Sequence, residues 1–240
     1  MAILTAEQID VYNQNGFLHV KRFIGPAVVE RIRKEIEGIH ERMASTPASE
    51  RPNAHVTWED LPEGEPKMIR QLMGSQHVSA TISSIISSGT MIGAMVDLLG
   101  DEVELFHSKL MMKAARKGSF TPWHSDWGYW KNTFKTPKLM NAFLAIDHST
   151  LENGCIRYVP GSHKEYLEHT ESRSASGFGI GLPGDVNAFE NVPVEMEPGD
   201  VAFHDAICIH ASEANNSDNS RVMNTFAYTI KDNYIRARSA

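Results

Sequence analysis

The chain has 240 residues, 30 acidic against 23 basic side chains, a net charge of −7, 41% hydrophobic and 22% charged residues. This is the composition of an ordinary soluble globular protein and excludes disordered, collagen-like and membrane-spanning classes. With a pI near 5.9 and no long basic run, no nucleic-acid groove is expected, which leaves small molecules as the expected partners. The two cysteines have no CxxC spacing and fit a reducing compartment. Acids at Glu7 and Asp10 interrupt any leader-like apolar run, so the expectation is a cytoplasmic protein, monomer or homodimer, with no membrane partner.

Thr5 followed by Gln8 is a capping box that opens a short helix ending at Gly16. Phe17 to Val20 reads as a strand. Pro26 at a first-turn position opens a second helix through Val28, Val29, Ile32, Ile36 and Ile39. From Ala44 to Pro66 the apolar period is lost among four prolines, which predicts a long surface loop. Helical patterning resumes near Val78 and ends at Gly100. Beyond it come seven strand-like runs: Val103 to Ala115, Leu139 to Asp147, Ile156 to Val159, Val192 to Met196, Val201 to His204, Ile207 to Ala211 and Val222 to Ile230. Turn signals such as those at Pro160 and Pro198 separate them. Helices followed by short strands, without a linker or repeat, predict one mainly β domain over 1–240, with a helical buttress and loop over 1–100 and a small barrel or sandwich over 101–240. Gly177, Gly179, Gly181 and Gly184 interrupt the strand region and suggest a lid over the barrel mouth.

Eleven histidines make spacing more informative than number. His124 and Asp126 form an H-x-D pair, which on a strand would share one face and could share one metal ion. About 1.4 such His-acid pairs are expected by chance, and three occur. The other two, His163/Glu165 and His169/Glu171, sit in polar loop-like sequence where a solvated histidine is the default. His124 lies instead in Thr-Pro-Trp-His-Ser-Asp-Trp-Gly-Tyr-Trp, where aromatic neighbours make uncompensated polar groups costly. A second histidine would complete a two-histidine, one-carboxylate site for non-haem Fe(II). His210 is favoured because strand alternation puts it on one face with Cys208 and Ser212, whereas His204 reads as a strand-end residue beside Asp205. On this reading His204→Ala keeps iron and activity. Arg221, opening the last strand, could grip a dicarboxylate bidentately.

Together these residues resemble the phytanoyl-CoA dioxygenase family of Fe(II)/2-oxoglutarate-dependent oxygenases, including its ectoine hydroxylase branch. The resemblance runs from the Leu-Thr-Ala-Glu-Gln-Ile opening, through His124-Ser125-Asp126 and the Asn153-Gly154 to Pro160-Gly161-Ser162-His163 stretch, to His210, Ser212 and Arg221. It implies a double-stranded β-helix, the jelly roll of cupin-like proteins, buttressed by helices, with iron held by His124, Asp126 and His210. Arg221 and Ser212 are then expected on the distal carboxylate of 2-oxoglutarate, with Thr121 and Lys109 as further cosubstrate contacts. Lys109, Met111 and Lys113 would share a strand face, and Met111 replaces an expected asparagine. Trp127, Tyr129 and Trp130 are the expected substrate wall.

The implied reaction consumes O2 and 2-oxoglutarate, releases succinate and CO2, and hydroxylates or otherwise oxidises a small metabolite. Asp126 in the ligand set disfavours halogenation, for which relatives carry a small residue there. A zinc hydrolase on the same ligands and a metal-binding jelly-roll module without turnover are the competing classes. Neither needs Arg221 with Ser212, and no HExxH motif is present.

Overall fold

The computed structural model describes residues 2–51, 55–171, 180–183 and 190–235. Helix α1 (Ala6–Asn15) begins at the capping box: the Thr5 hydroxyl accepts from Gln8 N and the Gln8 side chain accepts from Thr5 N. It ends at Gly16 in the left-handed region, φ +81°, and leads into β1 (Phe17–Val20). Pro26 heads α2 (Pro26–Ile36), which buries Val29, Ile32 and Ile36. The expected continuation to Ile39 is broken, because Gly38 adopts φ +65° and a separate α3 (Ile39–Ser45) follows.

The proline-rich stretch is not wholly a loop. It contains β2 (His55–Trp58), which pairs antiparallel with β3 (Ile69–Met73), a strand that carried no sequence signal. The apolar segment from Val78 to Gly100 forms two helices, α4 (Ala80–Ile86) and α5 (Gly89–Leu99). Ser79 caps the first through Ile82 N and Ser88 the second through Met91 N, which is why serines interrupt an otherwise continuous apolar pattern. Among the described residues no single helix is long and apolar enough to cross a membrane, and α4 and α5 are bent by 41° relative to one another.

The remaining elements are β4 (Val103–Lys113), β5 (Thr121–His124), α6 (Trp127–Trp130), β6 (Leu139–Ala145), β7 (Ile156–Tyr158), β8 (Thr170–Glu171), β9 (Ile180–Gly181), β10 (Val192–Val194), β11 (Val201–Asp205), β12 (His210–Ser212) and β13 (Arg221–Ile230). They form a seven-stranded antiparallel sheet, β1-β11-β6-β13-β4-β3-β2, and a four-stranded one, β10-β7-β12-β5, with β8 and β9 as a small hairpin. This is the expected jelly roll, mainly β and buttressed by helices. The outer face of the large sheet packs against α2, α4 and α5 through Ile32, Ile82, Met91, Leu110, Leu144 and Phe226, all fully buried. A second cluster, including Tyr158, Val194, Ala202 and Met223, joins the two sheets. β13 is buried on both faces, so its positions do not alternate between exposed and buried. The glycine-rich stretch expected to form a lid lies outside the described residues except for 180–183.

Candidate metal and cosubstrate site

The small sheet brings His124 and His210 together, because β5 and β12 pair in a register that sets these residues directly opposite each other. Their ring centroids are 4.3 Å apart. Asp126 joins them by a route other than strand parity. β5 stops at His124, and Asp126 has helical dihedrals, φ −60° and ψ −31°, at the start of α6. A hydrogen bond from Trp127 N to Ala206 O fixes this turn against the β11–β12 connection. One ligand atom from each of His124, Asp126 and His210 lies within 4.8 Å of the others, and all three residues are buried. The expected strand over Ile207 to Ala211 is shorter, starting only at His210. His210 and Ser212 still share a face, while Cys208 precedes the strand.

The outer atoms of each side chain are committed to the protein. His124 Nδ1 lies 2.8 Å from Pro122 O and His210 Nδ1 2.9 Å from Cys208 O. A carbonyl can only accept, so each Nδ1 carries the proton and each Nε2 bears a lone pair. Burial lowers the pKa of both rings, for His210 strongly and with help from the neighbouring His124 and His204. Both are therefore neutral at neutral pH. Burial alone would raise the Asp126 pKa, but the hydrogen bond from His204, the neighbouring His210 and His204 rings and the Lys109 ammonium hold it far below the usual carboxylate range. Its Oδ2 accepts from Asn141 Nδ2 at 2.5 Å and from His204 Nε2 at 3.1 Å. Oδ1, 4.0 Å from His124 Nε2, faces the histidines. Two neutral imidazoles and one ionised carboxylate, each oriented by an outer hydrogen bond, form a donor set that fits Fe(II).

His204 therefore does more than end a strand. It is fully buried, and Tyr158 OH sits 2.9 Å from its Nδ1. The hydroxyl donates to Nδ1, which leaves Nε2–H for Asp126. This contact argues against the expectation that His204→Ala leaves iron binding intact. His169, expected to be a solvated loop residue, instead has Nε2 accepting from Ser125 N at 2.9 Å, so it braces the H-x-D turn from the segment before β8.

A cavity open to solvent leads away from the three candidate ligands, lined also by Arg70, Lys109, Lys113, Thr121, Ser212 and Arg221. Thr121 and Ser212 face each other across β5 and β12. Arg221 and Lys113 are direct partners across β13 and β4, with exposures of 4% and 6%. Two cations opposed in a sheet repel one another. Burial brings the Arg221 pKa down to about 10 and depresses that of Lys113 strongly, with Arg221 and Arg70 adding to the latter. Lys113 Nζ donates to the carbonyls of Ser119, Ser212 and Glu213. Arg221 Nη2 donates to Gly154 O at 2.8 Å, while its buried Nε has no hydrogen-bond partner among the described residues. No salt bridge reaches either cation among the described residues. Glu59 and Glu213 act on Lys113, and Asp147 on Arg221, only from beyond salt-bridge distance.

The aromatic wall is only partly as expected. Trp130 is 7% exposed and packs with Phe106, Phe134 and Leu139, and Trp127 packs against the same cluster, away from the cavity lining. Tyr129, likewise outside the cavity lining, has its ring centroid 5.6 Å from that of His124. Sequence reasoning missed Arg70, Asn141 and the role of His204. Asn141 had a signal, a lone amide in the apolar strand Leu139–Ala145. Arg70 had none, since its strand was not expected.

Residues 12–223 match the family described as phytanoyl-CoA dioxygenase. Among curated proteins, the chain is 28% identical to L-proline trans-4-hydroxylase from Streptomyces griseoviridis over 66% of this chain and 56% of that protein. It is 23% identical to the ectoine dioxygenase of Halomonas elongata over 96% of this chain and 71% of that one. Among solved structures, EctD from S. alaskensis with 2-oxoglutarate and 5-hydroxyectoine superposes with a TM-score of 0.79 at 20% identity, covering 97% of this chain and 78% of that one. The carbocyclase SnoK from nogalamycin biosynthesis gives 0.75 at 22% identity, covering 97% and 87%. With the match extending from α1 into β13, across every ligand and the cationic cradle, the chain belongs to the phytanoyl-CoA dioxygenase family of Fe(II)- and 2-oxoglutarate-dependent oxygenases.

Proposed function

We propose that the chain binds one Fe(II) through His124, Asp126 and His210, and 2-oxoglutarate in the cradle of Arg221, Lys113, Ser212 and Thr121, to oxidise a small metabolite, with hydroxylation as the default outcome. When bound, iron, 2-oxoglutarate and O2 supply an oxidative decarboxylation to succinate and CO2 coupled to removal of a hydrogen from a C–H bond. The chain's own residues do the positioning. Asn141 and His204 occupy Asp126 Oδ2 and so present Oδ1. The carbonyls of Pro122 and Cys208 hold the two imidazoles in their ligating tautomer. Arg221 and Lys113 attract a distal carboxylate, and the surrounding apolar strands limit competing water.

The observation that carries this reading is the buried Arg221–Lys113 pair, which lacks an acid within salt-bridge distance among the described residues and opens onto the same cavity as the ligands. A zinc hydrolase or a metal-binding module has no use for it. The two cysteines are free and buried, in keeping with a cytoplasmic setting, and we take the working unit as a monomer or homodimer. The test is anaerobic mixing of the protein with Fe(II) and 2-oxoglutarate. A weak visible charge-transfer band that needs both additions supports the assignment, and a band that never forms overturns it.

A further inference from the structure

Lys109 is left over once the cosubstrate is accounted for. On β4 it shares the cavity-facing side with Met111 and Lys113, while Leu110 and Met112 between them are buried on the other side. Four residues of strand put Lys109 and Lys113 about 13 Å apart along β4. The two ammonium groups can therefore serve different parts of the cavity. Lys109 sits at the ligand end, near enough for the Asp126 carboxylate to act on its ammonium. Among the described residues its side chain makes no hydrogen bond and no salt bridge, although it is half-buried.

The charge balance at that end is unfavourable without a further anion. Iron contributes two positive charges and Asp126 one negative, while a bound 2-oxoglutarate contributes two negative charges against the positive Arg221 and Lys113. Arg70 has Glu59 at 3.8 Å, so that pair cancels. With Lys109 included, a low-dielectric cavity retains a net positive charge whether or not Lys113, whose pKa burial depresses, keeps its proton. Binding of the metal would also draw the Asp126 charge away from Lys109, so the ammonium loses its one nearby acid when the site fills.

Resting on the iron and 2-oxoglutarate reading, we infer that Lys109 is the substrate's anion subsite and that the substrate is a small organic acid whose carboxylate or phosphonate docks beside the metal, a few bonds from the oxidised carbon. This moves Lys109 from the cosubstrate contacts to substrate recognition. Tyr129, 36% exposed and next to His124, offers an apolar face to the carbon skeleton of such an acid.

The test uses the anaerobic Fe(II)–2-oxoglutarate complex of the full chain and reads its charge-transfer band. Acetate and methylphosphonate are titrated as probes, with acetamide and dimethyl methylphosphonate as uncharged counterparts. The expected result is a saturable shift of the band by at least one of the two anions and by neither neutral probe. Which anion gives the shift separates a carboxylate substrate from a phosphonate one. In Lys109→Met the anion response weakens at least tenfold while Fe(II) and 2-oxoglutarate affinities stay within about twofold, and Lys109→Arg restores it. An anion response that persists in Lys109→Met, or that the neutral probes reproduce, overturns the subsite. A Lys109→Met variant that binds 2-oxoglutarate poorly returns Lys109 to the cosubstrate. No band in the unmodified protein would instead overturn the iron and 2-oxoglutarate reading.

Discussion

The two sheets contribute to the site by different means. The small sheet supplies the candidate metal ligands from very short elements: β5 has four residues, β12 has three, and Asp126 belongs to a turn. Its geometry is held by side-chain hydrogen bonds behind the ligands. The large sheet supplies the cationic end from two long strands, β4 and β13, where plain register sets Arg221 against Lys113. Changes in the small sheet should thus act on metal affinity, and changes in the large sheet on cosubstrate affinity. The difference teaches that precision near the metal comes from outer hydrogen bonds, whereas the anion grip comes from strand pairing.

The largest expected effect is that of His210→Ala. It removes one of three ligands, so stoichiometric Fe(II) binding by anaerobic calorimetry should vanish together with succinate release, while circular dichroism shows the sheet intact. Retained stoichiometric binding would break the small-sheet half of the comparison.

Arg221→Met tests the other half. Losing a charge-assisted contact to a buried carboxylate costs about 2–5 kcal/mol, so the apparent KM for 2-oxoglutarate should rise well over tenfold with Fe(II) affinity little changed. The rise in Tm that 2-oxoglutarate gives the unmodified protein should disappear in the variant. Without ligand the variant should be no less stable, because the repulsion with Lys113 is gone. Parallel losses of iron and cosubstrate affinity would show that the two ends are not separable.

His204→Gln comes next. Outer-shell partners of ligands typically account for 10–100-fold in metal affinity, and this substitution should weaken Fe(II) binding within that range without abolishing it. Tyr158→Phe, one step further out, should cost less and in the same direction. If Tyr158→Phe is the more damaging of the two, the Tyr158–His204–Asp126 chain is not what orients the carboxylate.

The smallest effect is one of pH. Burial raises the Asp205 pKa from its ordinary value to about 6, although Ile207 N and the Tyr12 hydroxyl partly oppose this. A carboxyl with a raised folded pKa binds more protons folded than unfolded, so it disfavours the fold as pH climbs from about 4 to 6 and beyond. Asp205→Asn should therefore raise Tm at pH 8 and have little effect at pH 4. An equal effect at both pH values would point to packing. Asp205 lies at the end of β11 beside His204, so unchanged Fe(II) affinity in this variant would separate strand-end stability from ligand orientation.

Local chemistry was legible wherever it is encoded by neighbours in sequence. The Thr5–Gln8 box, Pro26 and the Gly16 stop each work within one helical turn, and each is found where it was expected. His124 and Asp126 lie close for a reason other than the expected one: parity along a strand does not apply to a residue in a helical turn, and the contact arises because α6 folds the carboxylate back. β2 and β3 were hidden because β3 is anchored on β4, some forty residues away in sequence, β2 pairs only with β3, and prolines masked the alternation. His204 looked ordinary because its role depends on Tyr158 and Asp126, both more than forty residues distant. Trp130 was misplaced because an aromatic beside a ligand motif reads alike whether it faces the cavity or the Phe106 cluster.

The Asn153–Gly154 step also bears on how the protein ages. Asparagine followed by glycine is the dipeptide most prone to deamidation, in which the glycine nitrogen attacks the asparagine side-chain amide. Here the attack is restrained, because Asn153 is 4% exposed, its Oδ1 accepts from Thr150 N and its Nδ2 donates to His148 O. The carbonyl of the same Gly154 anchors Arg221. Gly154 itself, at φ +79°, could not gain a Cβ without driving it to 2.2 Å from Glu213 O. Storage conditions that loosen this turn would expose the amide, and the resulting isoaspartate would lengthen the backbone just where the arginine is tethered. Damage of that kind would first be felt as a rising demand for 2-oxoglutarate in a protein whose iron ligands remain untouched.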